Sequence, residues 1–147
     1  MPTENKREAK LKIILDSSAL FVPLQFRIDI FEELKNLLKT NFEPILLPSI
    51  LRELEIIAQK GTPSMRRKAS YALHLAQKCR LFKTDEKFTS PDDAIVEFAG
   101  RWKCPVFTND RMLRRRLRNI SVPVIYVRQK SHLEVDGRIT PCLNSSR

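Results

Sequence analysis

The sequence predicts an α/β fold, a three-layer α/β/α sandwich around a central, mostly parallel sheet of five strands. Short apolar runs alternate along the chain with longer segments in which apolar residues recur at helical spacing. Parallel strands need crossover connections, and the helices in those connections cover both faces of the sheet. With 147 residues, of which 42% are hydrophobic, the chain is the size of one domain with one core.

The first half of the chain predicts two strand and helix pairs. Residues 11–16 form a short apolar strand that ends at an acid, and residues 29–40 follow as an amphipathic helix. Residues 43–47 form the second strand, which Pro48 closes. The next helical stripe begins at Ile50 and stops at Gly61, a residue that commonly ends helices.

The second half continues the alternation. A helix over residues 65–78 precedes a short strand at 80–83. Ser90 and Pro91 then begin a helix with a typical N-terminal signature. The remaining predicted elements are a strand at 105–108, a helix at 109–118 and a β-branched strand at 122–127.

These elements define one domain with two polar ends. We expect residues 1–10 to be a flexible charged N-terminus, residues 11–128 to be the folded domain and residues 129–147 to be a loosely held polar tail. No apolar run approaches the roughly 20 residues that cross a bilayer. A soluble, cytoplasmic protein without a membrane partner is therefore expected.

Charge and composition narrow the function classes. The chain has 27 Lys and Arg against 17 Asp and Glu, a formal net charge of +10, which is typical of nucleic-acid binding. Three widely spaced cysteines without a C-x-x-C pair argue against a disulfide framework or a zinc site. Phosphate-binding glycine loops and recognisable histidine triads are missing too, so carboxylates must carry any chemistry.

Acidic residues follow apolar runs at four points in this basic chain. In a doubly wound sheet, ligands bind at the carboxyl ends of the strands, where Asp16 and Asp110 fall. Mg²⁺ and Mn²⁺ prefer carboxylate oxygens, and a bound ion relieves the repulsion between crowded acids. The pattern predicts metal-assisted cleavage of a nucleic acid, with candidate ligands Asp16, Asp92, Asp93 and Asp110 and candidate catalytic residues Asp16, Glu53, Asp92 and Asp110.

Each acid also has a plain structural explanation. Asp16 beside two serines could cap a helix or turn, and Glu53 alone could be a solvated helix residue. Asp92 and Asp93 follow Ser90 in a capping box, in which Asp93 could take the capping role while Asp92 points to the sheet edge. Asp110 begins a helix, where the macrodipole favours negative charge with or without function.

Clustered basic residues predict where RNA phosphates would bind, because phosphate contacts give affinity without reading sequence. The alternative is that these residues form solvated helix faces. The candidates lie in two clusters: Arg111, Arg114 and Arg115 in the first, and Arg66, Arg67 and Lys68 in the second.

These segments together resemble the PIN domain, a family of metal-dependent ribonucleases that includes VapC toxins and ribosome-biogenesis endonucleases. The motifs that carry the resemblance are ILDSS at residues 14–18, SILREL at 49–54, DDAIVE at 92–97 and FTNDRML at 107–113. The resemblance implies an α/β/α sandwich, usually dimeric, that cleaves single-stranded RNA with Mg²⁺ or Mn²⁺ at Asp16, Glu53, Asp92 and Asp110.

The resemblance also ranks the remaining residues and partners. Asp92 matches the family pattern better than Asp93, which is kept as a secondary ligand, and Ser17, Thr108 and Asn109 would support the site. The arginine-rich segment after Asp110 favours the ribosome-biogenesis branch, whereas the compact size suits a VapC-type toxin, so the partner could be a pre-ribosomal particle or an antitoxin. A non-catalytic RNA-binding module and a phospho-accepting receiver domain are the alternatives; the latter would need a lysine at a late strand end.

Overall fold

The computed structural model describes residues 10–139, and within this range the chain forms six strands and six helices. Most of the elements that the sequence predicts are present, with slightly different ends. In chain order they are β1 Leu11–Leu15, α1 Ser17–Phe26, α2 Ile30–Leu38, β2 Phe42–Leu46, α3 Pro48–Lys60, α4 Pro63–Ala76, β3 Arg80–Leu81, α5 Pro91–Trp102, β4 Val106–Phe107, α6 Arg111–Asn119, β5 Val124–Arg128 and β6 His132–Asp136.

The sheet has the strand order β3-β2-β1-β4-β5-β6. All neighbouring strands are parallel except β5 and β6, and Ile14 of β1 lies opposite Ile45 of β2 and Val106 of β4. The chain builds β2 and β3 on one side of β1 and then crosses back to place β4 on the other side. The carboxyl ends of β1 and β4 therefore meet at a topological switch point, the usual ligand site of such sheets.

Helices cover both faces of this sheet. Right-handed crossovers put the helices that precede the reversal and those that follow it on opposite faces. Accordingly, α1, α3 and α4 contact one another, and α5 contacts α6. Ile13 and Ile14, whose side chains point to opposite faces, are both fully buried, as expected for a strand covered on two sides. The predicted α/β/α fold is confirmed.

One helix, α1, is missing from the sequence prediction. Residues 17–26 combine two serines, a continuous apolar stretch and Pro23 inside the helix, so neither helical spacing nor propensity identifies them. Burial of Ala19, Leu20 and Val22 against the core outweighs the cost of the proline. Because α1 begins directly after β1, it fixes the two serines beside Asp16.

All five predicted strands are present, but the sheet has a sixth. Residues 132–136, expected to belong to a loosely held tail from residue 129, form β6. This strand pairs antiparallel with β5 and buries Leu133. The turn between the strands uses Gln129 and Lys130 with positive φ, a conformation for which asparagine and glycine are the usual signal. Two polar residues without that preference made the hairpin unrecognisable in the sequence.

The expected flexible N-terminus at residues 1–10 and the end of the expected tail at 140–147 lie almost entirely outside the described residues. Among the helices of residues 10–139, none is long and apolar enough to cross a membrane.

Candidate active site

Asp16 lies between the end of β1 and the start of α1, and only 6% of it is exposed. Its Oδ2 accepts hydrogen bonds from the hydroxyl groups of Ser18, at 2.8 Å, and Thr108, at 2.7 Å. Although Asp16 occupies the N-cap position of α1, its side chain does not cap the helix, so the capping interpretation is wrong here. No donor within residues 10–139 contacts Oδ1, and this oxygen remains available to a ligand.

The segment after β4 is tied to its neighbours on both sides. Thr108 is fully buried and accepts a hydrogen bond from the Asp110 amide at 3.0 Å, while the Asn109 amide donates to the Ser18 hydroxyl at 3.0 Å. The Asn109 side-chain oxygen accepts from the Val127 amide on β5 at 2.9 Å. The predicted supporting residues Thr108 and Asn109 thus join β1, β4 and β5, and Ser18 is a site residue that the sequence analysis missed.

Asp110 is the exposed N-cap residue of α6. Its Oδ1 accepts hydrogen bonds from the amides of Met112, at 2.8 Å, and Leu113, at 3.1 Å. One oxygen of Asp110 therefore caps the helix, in addition to the macrodipole effect expected from the sequence. The described part of the chain offers no donor to Oδ2, so the same carboxylate can both cap the helix and ligate a cation.

Glu53 and Asp92 are placed in the electrostatic field of the other acids. Partial burial and the nearby negative charges of Asp16 and Asp92 raise the pKa of Glu53, and a hydrogen bond from Ser17 acts in the opposite direction. Partial burial together with the charges of Asp16 and Asp110 also raises the pKa of Asp92. Carboxylates from α3, from α5 and from the ends of β1 and β4 therefore lie close enough for their charges to interact.

Asp93 differs from its neighbour. Its carboxylate forms an ion pair with Arg116 of α6 at 3.0 Å, and its amide donates to the capping hydroxyl of Ser90 at 3.2 Å. Asp92, in contrast, repels Asp16 and Asp110, with only partial relief from Arg116. Asp93 is thus engaged by α6, whereas Asp92 interacts with the charges of the other acids. Arg116 was missed because a pairing between two helices leaves no local sequence pattern.

The donor set fits a hydrated divalent cation. Among residues 10–139, no three Asp, Glu, His or Cys side chains are arranged to hold one ion by themselves. Mg²⁺ usually keeps several waters and binds through one or two carboxylates. Partial burial raises the pKa values of Glu53 and Asp92, and the repulsion from neighbouring acids that adds to it is what such an ion would relieve.

The two basic clusters have different positions. Arg111 and Arg115 are exposed on α6 directly after Asp110, whereas Arg114 pairs with Asp136 at 2.9 Å and lies 3.8 Å from the centre of the Tyr126 ring. Arg114 thus fastens α6 to the β5–β6 hairpin.

The second cluster, Arg66, Arg67 and Lys68, is exposed near the start of α4. Lys68 lines a cavity together with Leu24 and Gln25 of α1. At 1.5 Å per residue, these α1 residues lie about 10 Å or more along the helix from Ser17 at its start. This cluster is therefore separated from the carboxylates.

Known proteins resemble the chain over most of its length. Residues 13–130, which include all four acids, match the family described as PIN like domain. Ribonuclease VapC4 of Methanocaldococcus jannaschii is 30% identical over 129 residues, which cover 87% of this chain and 98% of that protein. The rRNA-processing protein fcf1 of Schizosaccharomyces pombe is 28% identical over 117 residues, which cover 78% of this chain and 58% of that protein.

A solved structure has the same fold. The structure of the PIN domain endonuclease Utp24 superposes with a TM-score of 0.73 at 28% sequence identity, covering 87% of this chain and 92% of that chain.

Proposed function

The chain belongs to the PIN domain family, and from this premise we propose that it is a metal-dependent endoribonuclease that hydrolyses RNA phosphodiester bonds at Asp16, Glu53, Asp92 and Asp110. One observation carries the proposal: partial burial and the nearby charges of Asp16, Asp92 and Asp110 together raise the pKa values of Glu53 and Asp92. Relatives named as a ribonuclease and as an rRNA-processing protein support RNA as the substrate.

Asp16, Asp92 and Asp110 are the proposed ligands of Mg²⁺ or Mn²⁺, one or two of them directly and the rest through waters of the ion, because no three acids in residues 10–139 are arranged to hold one ion by themselves. Asp16 and Asp110 each offer the oxygen that makes no described hydrogen bond. Asp93 is a secondary ligand, since it must first release Arg116. When bound, the ion would lower the pKa of a coordinated water and neutralise negative charge on the phosphate.

Glu53 is the proposed residue that handles the attacking water. Its raised pKa makes it a better proton acceptor than an ordinary surface glutamate. The Ser17 hydrogen bond orients the carboxylate without fully offsetting that effect. In this arrangement Glu53 orients the water and takes its proton as the water attacks phosphorus.

Arg111 and Arg115 are the proposed phosphate contacts nearest the site, because both are exposed and make no described ion pair. Arg66, Arg67 and Lys68 extend the positive surface beside α1 for a longer single strand. Arg114 contributes by holding α6 in place, since its guanidinium is engaged by Asp136 and Tyr126.

Two cellular roles are compatible with this activity, and they differ in the partner of the protein. A VapC-type toxin would form a homodimer held by an antitoxin, whereas an rRNA-maturation nuclease would act within a pre-ribosomal particle. Relatives of both kinds are similar over most of this chain. A non-catalytic RNA-binding module is the second candidate, but it gives no reason to keep four mutually repelling acids together.

Metal-dependent cleavage of end-labelled single-stranded RNA tests the proposal. We expect cutting with Mg²⁺ or Mn²⁺, complete loss with a chelator and recovery when excess metal is restored. Cleavage that survives the chelator would contradict the metal requirement. Tight RNA binding without cutting under any metal would favour the binding module.

A further inference from the structure

A cavity of about 420 Å³ lies beside the carboxylate site. It is enclosed by the start of α3, the loop of residues 84–88 and the first half of α5. Its volume is within the range of roughly 300 to 1,000 Å³ that is usual for pockets that take small organic groups. The cavity is therefore large enough for one flat ring system.

The cavity shares helices with the proposed catalytic residues. Ser49, which lines it, precedes Glu53 by one helical turn on the same face of α3. Ala94, on the opposite wall, comes two residues after Asp92 in α5. None of the four acids lines the cavity, so a group bound there would lie about one helical turn, roughly 5 Å along α3, from Glu53.

The walls combine an aromatic floor with polar side chains. Phe98 is 2% exposed and meets the ring of Phe88 edge-on, with the ring centres 5.6 Å apart. The buried Ser49 hydroxyl has no hydrogen-bond partner among the described residues. The exposed Arg52 guanidinium at the rim makes no described ion pair, and Asp85 stands on the opposite rim.

The loop that closes the cavity is held in place before any ligand arrives. Arg101 donates two hydrogen bonds to Glu86, at 2.9 and 2.7 Å, and one to Glu97 at 2.8 Å. The same guanidinium lies 5.0 Å from the centre of the Phe98 ring. This bracing fixes the loop against α5, which reduces the entropy lost on binding.

We propose that this cavity binds one unpaired nucleobase of the RNA, next to the scissile phosphate. A base is flat and neutral, so it fits the aromatic floor and can hydrogen-bond with Ser49 and Arg52. The charged side chains that line the cavity do not select an anion, because Arg52 and Lys87 stand beside Asp85 and Glu86. The inference rests on the proposed ribonuclease function, since it takes RNA as the ligand.

Binding of RNAs that lack a single base tests the subsite without requiring cleavage. The Asp16→Asn full chain is titrated with a short single-stranded RNA and with a set in which one nucleotide at a time lacks its base. One position is expected to lose affinity about tenfold, a typical effect of losing one base–aromatic stack. Adding Phe88→Ala or Ser49→Ala should shrink that loss to a few-fold or less, while the other positions stay as they were.

Two controls keep this test informative. Ser70→Ala, on the exposed side of α4, should leave the pattern unchanged. Ser49→Ala removes a hydroxyl that has no partner, so its melting temperature should equal or exceed that of the parent, even if Phe88→Ala proves unstable.

The outcomes separate the subsite from the nuclease. An identical pattern in the parent and both variants, or no RNA binding at all, overturns the subsite even if the intact protein cleaves RNA. Base-dependent binding that the variants abolish supports the subsite even if the intact protein cleaves nothing.

Discussion

The Asp16 carboxylate is held by hydroxyl groups, and no basic side chain in residues 10–139 pairs with it. Hydroxyls orient a carboxylate without cancelling its charge, so the buried charge acts on its neighbours. Partial burial and this charge together raise the pKa values of Glu53 and Asp92. At the scale of single residues, the carboxylates repel one another, and a bound divalent cation would relieve this repulsion.

Replacing Glu53 tests that repulsion. Its raised pKa means that the folded protein disfavours the ionised form of Glu53. Ionised Glu53 therefore lowers the free energy of unfolding at neutral pH, and this loss disappears as the pH falls below the ordinary glutamate pKa. Glu53→Gln should therefore raise the free energy of unfolding of the metal-free protein at neutral pH by roughly 0.5 kcal/mol, discounted for solvent screening, and not at acidic pH. Urea denaturation in chelator at both pH values measures the difference.

Glu55→Gln is the matched control, since Glu55 is exposed two residues along the same helix. We expect no change from it at either pH. Equal or lower stability of Glu53→Gln at neutral pH would show that repulsion at Glu53 is negligible.

At the scale of elements, the hairpin of β5 and β6 fastens α6 to the sheet. Asp136 at the end of β6 pairs with Arg114 at 2.9 Å and with Arg118 at 3.3 Å, two residues one turn apart on α6. Since Asp110 caps the first turn of that helix, the hairpin also fixes one of the proposed metal ligands.

Asp136→Asn should weaken this connection. A partly buried carboxylate shared by two arginines contributes about 1 kcal/mol to the free energy of unfolding, more than an isolated surface pair. Glu134→Gln on the same strand loses the exposed ion pairs with Arg128 and His132, while its amide oxygen can still accept from the Tyr126 hydroxyl, so less than about 0.5 kcal/mol is expected. Equal losses for both variants in chemical denaturation would contradict a special role of Asp136.

Sequence reasoning could find what is local in this chain. An acid that follows an apolar run and precedes a helix is visible in a few residues, which is why Asp16 and Asp110 could be placed at strand ends. The Ser18 contact with Thr108 and the Thr108 bond to Asp16 join residues 90 and 92 positions apart, and only folding brings them together. The α1 helix and β6 escaped prediction because tertiary burial overrides Pro23 in one case and unusual turn residues in the other.

At the scale of the whole molecule, a chain with a formal net charge of +10 contains a site built from acidic residues. The positive surface attracts RNA by releasing counterions, while the carboxylates at the switch point of the sheet would repel phosphate without a cation. Basic residues would thus attract the RNA, and the carboxylates would cleave it.

Salt dependence measures the share of Arg111 and Arg115 in RNA binding. Each lost phosphate contact lowers the slope of log affinity against log salt by about 0.7 for a single strand, so Arg111→Gln with Arg115→Gln should lower it by up to about 1.4. The control is Lys39→Gln with Lys103→Gln, which removes the same charge from helix ends that precede β2 and β4, at the opposite edge of the sheet. Equal changes in both pairs would indicate that only net charge matters.

The central claim, that Asp16 is a catalytic carboxylate and not a structural one, is tested most directly by the single-turnover cleavage rate of Asp16→Asn with Mg²⁺. Asparagine can still accept the Ser18 and Thr108 hydrogen bonds, so the fold should persist while the rate falls by about a hundredfold or more. Asp29→Asn, the same change at the N-cap of α2, where the side chain accepts from the Glu32 amide, should stay within about twofold of the intact protein. An Asp16→Asn protein that is folded and cleaves RNA as fast as the intact chain would contradict the account.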